Sequence, residues 1–167
     1  MRIGKMNNTQ MRLTWAVAIC VFLAPQAYGA AQSRSGVTEK IKAEVGEIVA
    51  GINAHDVKRA TRFDANDIVS MESGRPASNG LIEERKGLSE AFQYAPTWRL
   101  SLIEETVDVA DSGELAIYRS TYNEDSVQDG VPMTHRVNFI AEFRRHDTGQ
   151  FEVVWSIVSS IEKSHKK

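Results

Sequence analysis

The sequence has little cysteine, little proline and no excess of charge of one sign. The only cysteine, Cys20, lies in an apolar run near the amino terminus, so the rest of the chain can form no disulfide. Four prolines and eleven glycines in 167 residues exclude a collagen-like or disordered chain. The 20 basic and 22 acidic residues nearly cancel, so we expect no nucleic-acid partner. A chain of this length that is 42% hydrophobic can bury a core of its own.

The first 29 residues are predicted to be a secretory signal peptide. Three basic residues and no acid accompany the apolar run 13–24, and small residues precede Ala30, where cleavage is expected. Met11 is an alternative start. A membrane anchor is the less favoured alternative, because the run is shorter than the ~20 apolar residues that a spanning helix needs. We therefore expect a secreted or periplasmic protein without a stable membrane anchor.

After this segment, a polar and flexible lead (30–36) precedes one domain (37–162) and a polar tail (163–167). The first half of the domain has the periodicity of helices. Thr38 is a candidate N-cap for the first helix, Asp56 for a short second one, and a third helix fits residues 81–92. Six apolar residues at helical spacing form the stripe of the first helix: Val37, Ile41, Val45, Ile48, Val49 and Ile52.

The second half has the composition of strands, rich in β-branched and aromatic residues. In the last strand, Phe151, Val153, Trp155 and Ile157 are predicted to share one face. Helices grouped before antiparallel strands indicate an α+β fold with the helices on one face of a curved, mixed or antiparallel sheet. The predicted strands are 67–72, 99–110, 115–122, 135–144 and 151–160.

Several short motifs spread over residues 38–162 resemble one known family. Ile52–Asp56 (INAHD) is similar to its link between the first two helices, residues 112–116 (SGELA) to a turn before a central strand, and 143–155 to its closing hairpin. The family is the nuclear transport factor 2-like superfamily, which includes SnoaL-like and ketosteroid-isomerase-like domains. Its hairpin usually has tryptophan where Phe151 stands here. The resemblance implies a cone-shaped fold around a pocket, commonly in a homodimer, and leaves the reaction open.

Glu72 is the first candidate catalytic residue. In the ketosteroid-isomerase branch, the strand after the second helix ends in the carboxylate that acts as general base, and the resemblance places Glu72 there. An apolar cone would raise the pKa of such a carboxylate and let it exchange protons near neutral pH. The alternative is that Met71 points inward and Glu72 to solvent. Ile48 and Ile140 stand where that branch has its oxyanion donors, so steroid isomerisation is not expected.

His135 begins a predicted strand on its apolar face and is the second catalytic candidate, as an acid or base at the mouth of the cavity. The alternative is a histidine at a strand edge with a structural hydrogen bond. Tyr118 and Tyr122 are candidates for the wall of a pocket, or for sheet packing or a dimer surface. Asn138 and Trp98 are further candidates for ligand contact, although Trp98 is most simply a core residue.

No metal or cofactor is expected, because the chain has no metal-binding histidine motif and no phosphate-binding glycine loop. The acidic segment 123–125, together with Asp129 and Gly130, is interpreted as a solvated loop without the calcium pattern. Three functions are considered. The first is an exported protein that binds a small, largely apolar molecule. The second is a proton-transfer enzyme (isomerase, dehydratase or hydrolase) that uses Glu72 with His135, and the third is a protein-interaction module.

Overall fold

The computed structural model describes residues 33–161; the predicted signal peptide, residues 30–32 of the lead and the polar tail lie outside the described residues. The helices are α1 (Arg34–Asn53), α2 (Val57–Ala60) and α3 (Leu81–Tyr94). The strands are β1 (Asp64–Glu72), β2 (Ser78–Asn79), β3 (Arg99–Val109), β4 (Leu115–Gln128), β5 (Val131–Arg145) and β6 (Phe151–Ser160). This order confirms the predicted α+β class and adds one short strand, β2.

The six strands form a single mixed sheet in the order β2-β1-β6-β5-β4-β3. All neighbouring pairs are antiparallel except β1 and β6, which are parallel. Irregularities in the pairing of β3 with β4 and of β5 with β6 bend the strands, as bulges do. The helices pack on one face of the curved sheet, as predicted; we name it the inner face and the opposite one the outer face.

The hydrophobic core lies between α1 and the inner face. The predicted stripe of α1 supplies its helical side, and alternate residues of β4, β5 and β6 supply the other, since side chains alternate across a strand. Ten buried residues form this core: Val37, Ile41, Val45, Ile68, Ala116, Tyr118, Ala141, Phe143, Phe151 and Val153. The core therefore fixes which residues of each strand face inward.

Three residues in or next to the segment Ile52–Asp56 hold the link between α1 and α2. The Asn53 side chain donates to the Leu100 carbonyl (2.9 Å) and accepts from the Leu100 N–H (2.7 Å), which joins the end of α1 to β3. The Asp56 carboxylate caps α2, as predicted. Gly51 allows the two helices to touch, because a Cβ there would lie 2.4 Å from the backbone nitrogen of Ala60.

α1 begins earlier than predicted. Ser33 is its N-cap, with its hydroxyl accepting from the Gly36 N–H (3.2 Å), and Thr38 lies inside the helix. The reason is Val37, which is completely buried and so belongs to the packed part of the helix. Within residues 33–161, no helix has the length and apolar character needed to cross a membrane.

β4 and β5 form a much longer hairpin than the sequence suggested. Gln128 pairs with Val131, so only Asp129 and Gly130 form the turn, with φ values of 51° and 80°. Two left-handed residues are what a type I′ hairpin turn requires, and Asp-Gly satisfies this at low cost. The prediction of a longer loop was wrong, and the acidic segment 123–125 belongs to β4.

The predicted face of β6 is wrong beyond Val153. The pairing shifts there, with Phe143 opposite Val153 but Glu142 opposite Trp155. One extra residue reverses the alternation, since side chains alternate with a period of two. Trp155 and Ile157 therefore lie on the outer face, and the Trp155 Nε1–H donates to Glu142 Oε2 (2.7 Å).

Candidate functional site

A cleft of about 130 Å³ lies on the inner face of the sheet and is lined by residues of β1, β4, β5 and β6. We name it the mouth cleft. Its walls are two carboxylates, one imidazole, two hydroxyl side chains and two valines: Glu72, Glu124, His135, Ser73, Ser160, Val137 and Val158. The structure therefore brings Glu72 and His135, the two predicted catalytic residues, into one site, and adds Glu124.

The pairing of the strands explains this convergence. Glu124 stands directly opposite His135 in the β4–β5 ladder, and residues in this position have Cβ atoms roughly 5 Å apart. Glu72 pairs with Val158, which in turn pairs with Phe139 of the inner face. Glu72 therefore points inward, and the alternative with Met71 inward does not apply.

The two carboxylates of the cleft differ in environment. The Glu72 side chain is 52% exposed and lies 3.2 Å from the guanidinium of Arg75. Burial raises the pKa of Glu124 above its ordinary value, and the nearby charge of Glu72 raises it further, while His135 acts in the opposite direction. Of the two, Glu124 is the carboxylate whose charged form is disfavoured by burial.

Tyr118 and Tyr122 lie deeper on the inner face and are both buried. The Tyr118 hydroxyl donates to Glu105 Oε2 (3.0 Å), and because a carboxylate can only accept, Tyr122 must donate to Tyr118 (2.9 Å). Glu105 also pairs with Lys42 (3.3 Å). Burial raises the pKa of both phenols, and Ser120 lies beside them. The two tyrosines are four residues apart in β4, and their hydroxyls are in contact. Their buried side chains therefore fill the space between the helices and the inner face.

The remaining candidates for ligand contact lie elsewhere. Asn138 is exposed on the outer face, where its Oδ1 accepts from Thr121 Oγ1 (3.3 Å). Trp98 is half-buried in the α3–β3 connection, with its ring 5.8 Å from that of Phe92, which stacks on His55. Across residues 33–161, no three histidine, cysteine, aspartate or glutamate side chains stand where they could hold a metal ion.

Glu124 was not among the predicted site residues, because its segment was interpreted as a solvated loop. The signal was the Asp129–Gly130 pair, which favours a two-residue turn between strands. Counting outward from such a turn places Glu124 opposite His135.

The architecture has clear similarities among solved structures. A ketosteroid isomerase-like protein from Erwinia carotovora atroseptica is 20% identical, with a TM-score of 0.64 over 75% of this chain and 97% of that one. A nuclear transport factor 2-like superfamily protein from Salmonella enterica is 12% identical, with a TM-score of 0.69 over 78% and 94%. The chain has the nuclear transport factor 2-like fold. The motif resemblance is thus confirmed at the level of the fold.

Other structures with the nuclear transport factor 2-like fold are described by different activities. A putative dehydratase of this family from Streptomyces avermitilis is 17% identical, with a TM-score of 0.65 over 75% of this chain and 97% of that one. No protein-family model and no curated protein sequence matches the chain. Because these identities are low, the similarities establish the fold alone, and a function must follow from the side chains of the mouth cleft.

Proposed function

We propose that the chain binds a small molecule in the mouth cleft and transfers a proton there. Glu124 is the group that carries the proton: burial raises its pKa, the charge of Glu72 raises it further, and His135 acts in the opposite direction. The observation behind this proposal is the meeting of all three side chains in one cleft, with Glu124 the less solvated acid. A group whose pKa lies near the working pH is the most effective general acid or base.

The roles differ from those expected from the sequence, where Glu72 was the general base. Glu72 is half exposed and paired with Arg75, so water and the guanidinium already stabilise its charge. Its contribution to the proposed site is electrostatic, because its negative charge favours the protonated form of Glu124. His135, directly opposite Glu124, has the opposite effect and can accept or donate a proton itself.

The size of the cleft restricts the ligand. Sites for drug-sized molecules usually have roughly 300–1,000 Å³, against about 130 Å³ here. Tyr118 and Tyr122 occupy the interior that a larger apolar ligand would need. We therefore propose a molecule of few non-hydrogen atoms, or the polar end of a longer one, with its carbon atoms against Val137 and Val158.

Two similar structures support a reaction of this class. One is described as ketosteroid isomerase-like and another as a putative dehydratase, and both reactions move a proton to or from carbon or oxygen. The amino-terminal 29 residues support the further proposal that the protein acts outside the cytoplasm, after cleavage before Ala30.

The first test measures the pKa of Glu124 by carbon NMR of its labelled carboxyl group across a pH titration. We expect a raised pKa that falls in Glu72→Gln and rises further in His135→Phe, following the two charges that act on it. Glu39→Gln, on the exposed side of α1, is the matched control and should leave the pKa unchanged. The proposal would be contradicted if Glu124 had an ordinary glutamate pKa that neither Glu72→Gln nor His135→Phe changed.

The second test measures proton transfer itself. Small ketones, from acetone to cyclohexanone, are incubated with the protein in D₂O, and exchange of their α-protons is followed by proton NMR. Glu124→Gln should slow exchange by roughly 100-fold or more, the usual contribution of a general acid or base. Glu114→Gln, an exposed change in the β3–β4 turn, should have no effect. Equal exchange rates in Glu124→Gln and Glu114→Gln would show that Glu124 does not transfer the proton.

A further inference from the structure

The hairpin of β4 and β5 extends past the strand that lies beside it. β6 ends at Ser160, which pairs with Val137, whereas β5 begins six residues earlier, at Val131. The N–H of Ile161 donates to the carbonyl of Arg136 (2.9 Å), and toward the turn no other residue among 33–161 pairs with this side of β5. Val131, near the tip, is 56% exposed. An unpaired strand edge of this kind is a template for a further strand.

The hydrogen bond of Ile161 decides which backbone groups form this edge. Successive residues of a strand direct their N–H and C=O alternately to the two neighbouring strands. Arg136 directs its carbonyl to Ile161, so His135 directs its peptide groups to β4. Thr134 and Pro132 follow the alternation and face the unpaired side, although Pro132 has no N–H to donate. We name the N–H of Thr134 and the carbonyls of Thr134 and Pro132 the open edge.

The residues that follow Ile161 have the register to occupy the open edge. The last three pairs of the β5–β6 ladder show no irregularity. Continued in the same way, the ladder would place Glu162 opposite His135. The next pair would be Lys163 and Thr134, and each would donate its N–H to the carbonyl of the other.

On the inner face, this register brings a carboxylate to the mouth cleft. Ser160 lines the cleft, and side chains alternate along a strand, so Glu162 would point to the same side. It would lie beside His135, with Glu124 on the other side of the imidazole. Glu72 is farther away, because its partner in β6 lies four residues before Glu162, roughly 13 Å along the strand. The charge of Glu162 would therefore act mainly on the imidazole.

On the outer face, the same register brings opposite charges together. Lys163 would lie beside Thr134, whose hydroxyl donates to Asp125 Oδ1 (2.6 Å). Asp125 is also the partner of Thr134 in the β4–β5 ladder, so its carboxylate is turned toward β5. Opposite charges on neighbouring strands favour pairing, and a lysine side chain is long enough to cross the ~4.8 Å between strands. Both faces of the hairpin therefore complement the residues that follow Ile161.

We propose that residues 162–164 extend β6 along the open edge and that Glu162 is a positioning residue of the mouth cleft, held against His135. The imidazole then lies between two carboxylates, Glu124 on β4 and Glu162 on the extended β6. A carboxylate at one ring nitrogen fixes the orientation of an imidazole and leaves the other nitrogen for proton exchange. The pairing rests on the backbone geometry, whereas the role of Glu162 rests on the function proposed for the cleft.

An engineered disulfide tests the register. Ser164 and Met133 would form a pair without mutual backbone hydrogen bonds, with Cα atoms roughly 4.5 Å apart, which a disulfide can bridge. Residues 30–167 contain no cysteine, so Ser164→Cys with Met133→Cys should close one intramolecular disulfide in air, detected by mass spectrometry. His165→Cys with Met133→Cys, whose side chains would point to opposite faces, is the matched control and should stay reduced. Two free thiols in the first variant, or equal oxidation of both, would overturn the pairing.

Hydrogen exchange of the Thr134 amide tests the pairing without new side chains. This amide should be protected in the full chain, and ending the chain after Ile161 should speed its exchange by roughly 10-fold or more. The His135 amide, which faces β4, is the internal control and should exchange equally in both chains. A Thr134 amide that is unprotected in the full chain, or that is unaffected by the truncation, would contradict the pairing.

Nitrogen NMR of the His135 ring tests the role of Glu162. The chemical shifts of the two ring nitrogens depend on which nitrogen carries the hydrogen and on what it bonds. Glu162→Gln should change these shifts, and Glu162→Asp should restore them in part. Lys163→Gln, on the outer face of the same segment, is the matched control and should leave them unchanged.

Identical ring-nitrogen shifts in the wild type and Glu162→Gln would overturn the role of Glu162. None of the three measurements involves proton transfer to a ligand. They can therefore fail while Glu124 still carries the proton, and they can succeed where Glu124→Gln has no effect on exchange of ketone α-protons.

Discussion

Glu44 is expected to make the stability of this fold depend on pH. Its side chain lies on the buried side of α1 and is 7% exposed, and its Oε2 has no hydrogen-bond partner among residues 33–161. Lys40, one turn earlier, approaches Oε1 only to 4.0 Å. Burial raises the pKa of Glu44 from 4.5 to about 7, against the opposing charges of Lys40 and Arg62.

The sign and size of the effect follow from these two pKa values. The native chain keeps the proton of Glu44 up to about pH 7, whereas the unfolded chain releases it near pH 4.5. The native state is therefore favoured most below pH 4.5, and it loses that advantage as the pH rises to 7. The difference between the pKa values corresponds to a loss of about 3 kcal/mol above neutral pH.

Urea unfolding followed by tryptophan fluorescence at about pH 5 and pH 8 measures this loss. Glu44→Gln should be more stable than the wild type at pH 8, by up to about 3 kcal/mol, with a much smaller gain at pH 5. Glu39→Gln, exposed on the same helix, is the control and should change neither value. An equal effect of Glu44→Gln at both pH values would refute the reasoning.

Asp64 should also lower the stability of the fold as the pH rises. The Glu44→Gln variant should therefore retain part of the pH dependence of stability. Burial and the neighbouring charge of Glu84 raise the pKa of Asp64 to about 7, although Arg85 opposes this. Combining Glu44→Gln with Asp64→Asn should remove most of the remaining slope between pH 5 and pH 8.

Two further predictions concern the link between the first two helices. Gly51→Ala should cost about 3 kcal/mol or more in thermal unfolding, because its Cβ would lie 2.4 Å from a backbone nitrogen of α2. Gly46→Ala, in open space on the same helix, should instead stabilise by about 0.5–1 kcal/mol. Asn53→Ala should cost about 2 kcal/mol in urea unfolding, since it leaves the N–H and C=O of Leu100 without their partner. Asn66→Ala, exposed on β1, is the control and should change stability little. An equal loss of stability in Asn66→Ala and Asn53→Ala would contradict the role given to the Asn53 hydrogen bonds.

Much of the fold could be predicted because its signals are local. The spacing of Val37, Ile41 and Val45 specifies one buried side of a helix whatever covers it. The Asp56 cap likewise depends only on a side chain and backbone atoms three residues away. Positions that depend on neighbouring strands were harder to predict. The start of α1 was missed because Ser33 and Thr38 can both cap a helix, and the burial of Val37 decides between them.

The candidate site illustrates the same division. Glu72 and His135 were predicted to act together in acid–base chemistry, Glu72 from a resemblance and His135 from its position on a strand. Glu124 was not, because its role depends on the length of a hairpin and on which residue it opposes. Trp155 was assigned to the wrong face, because one extra residue in the β5–β6 pairing reverses every side chain that follows.

The sequence by itself determined the class of the fold, the helical stripe and the residue types available for chemistry, because periodicity and capping act within a few neighbouring residues. Only the tertiary structure decided that Glu72, Glu124 and His135 share one cleft, that two tyrosines fill the interior, and that Trp155 lies on the outer face. These outcomes depend on strand order and register, which join residues far apart in the chain and shift with a single bulge.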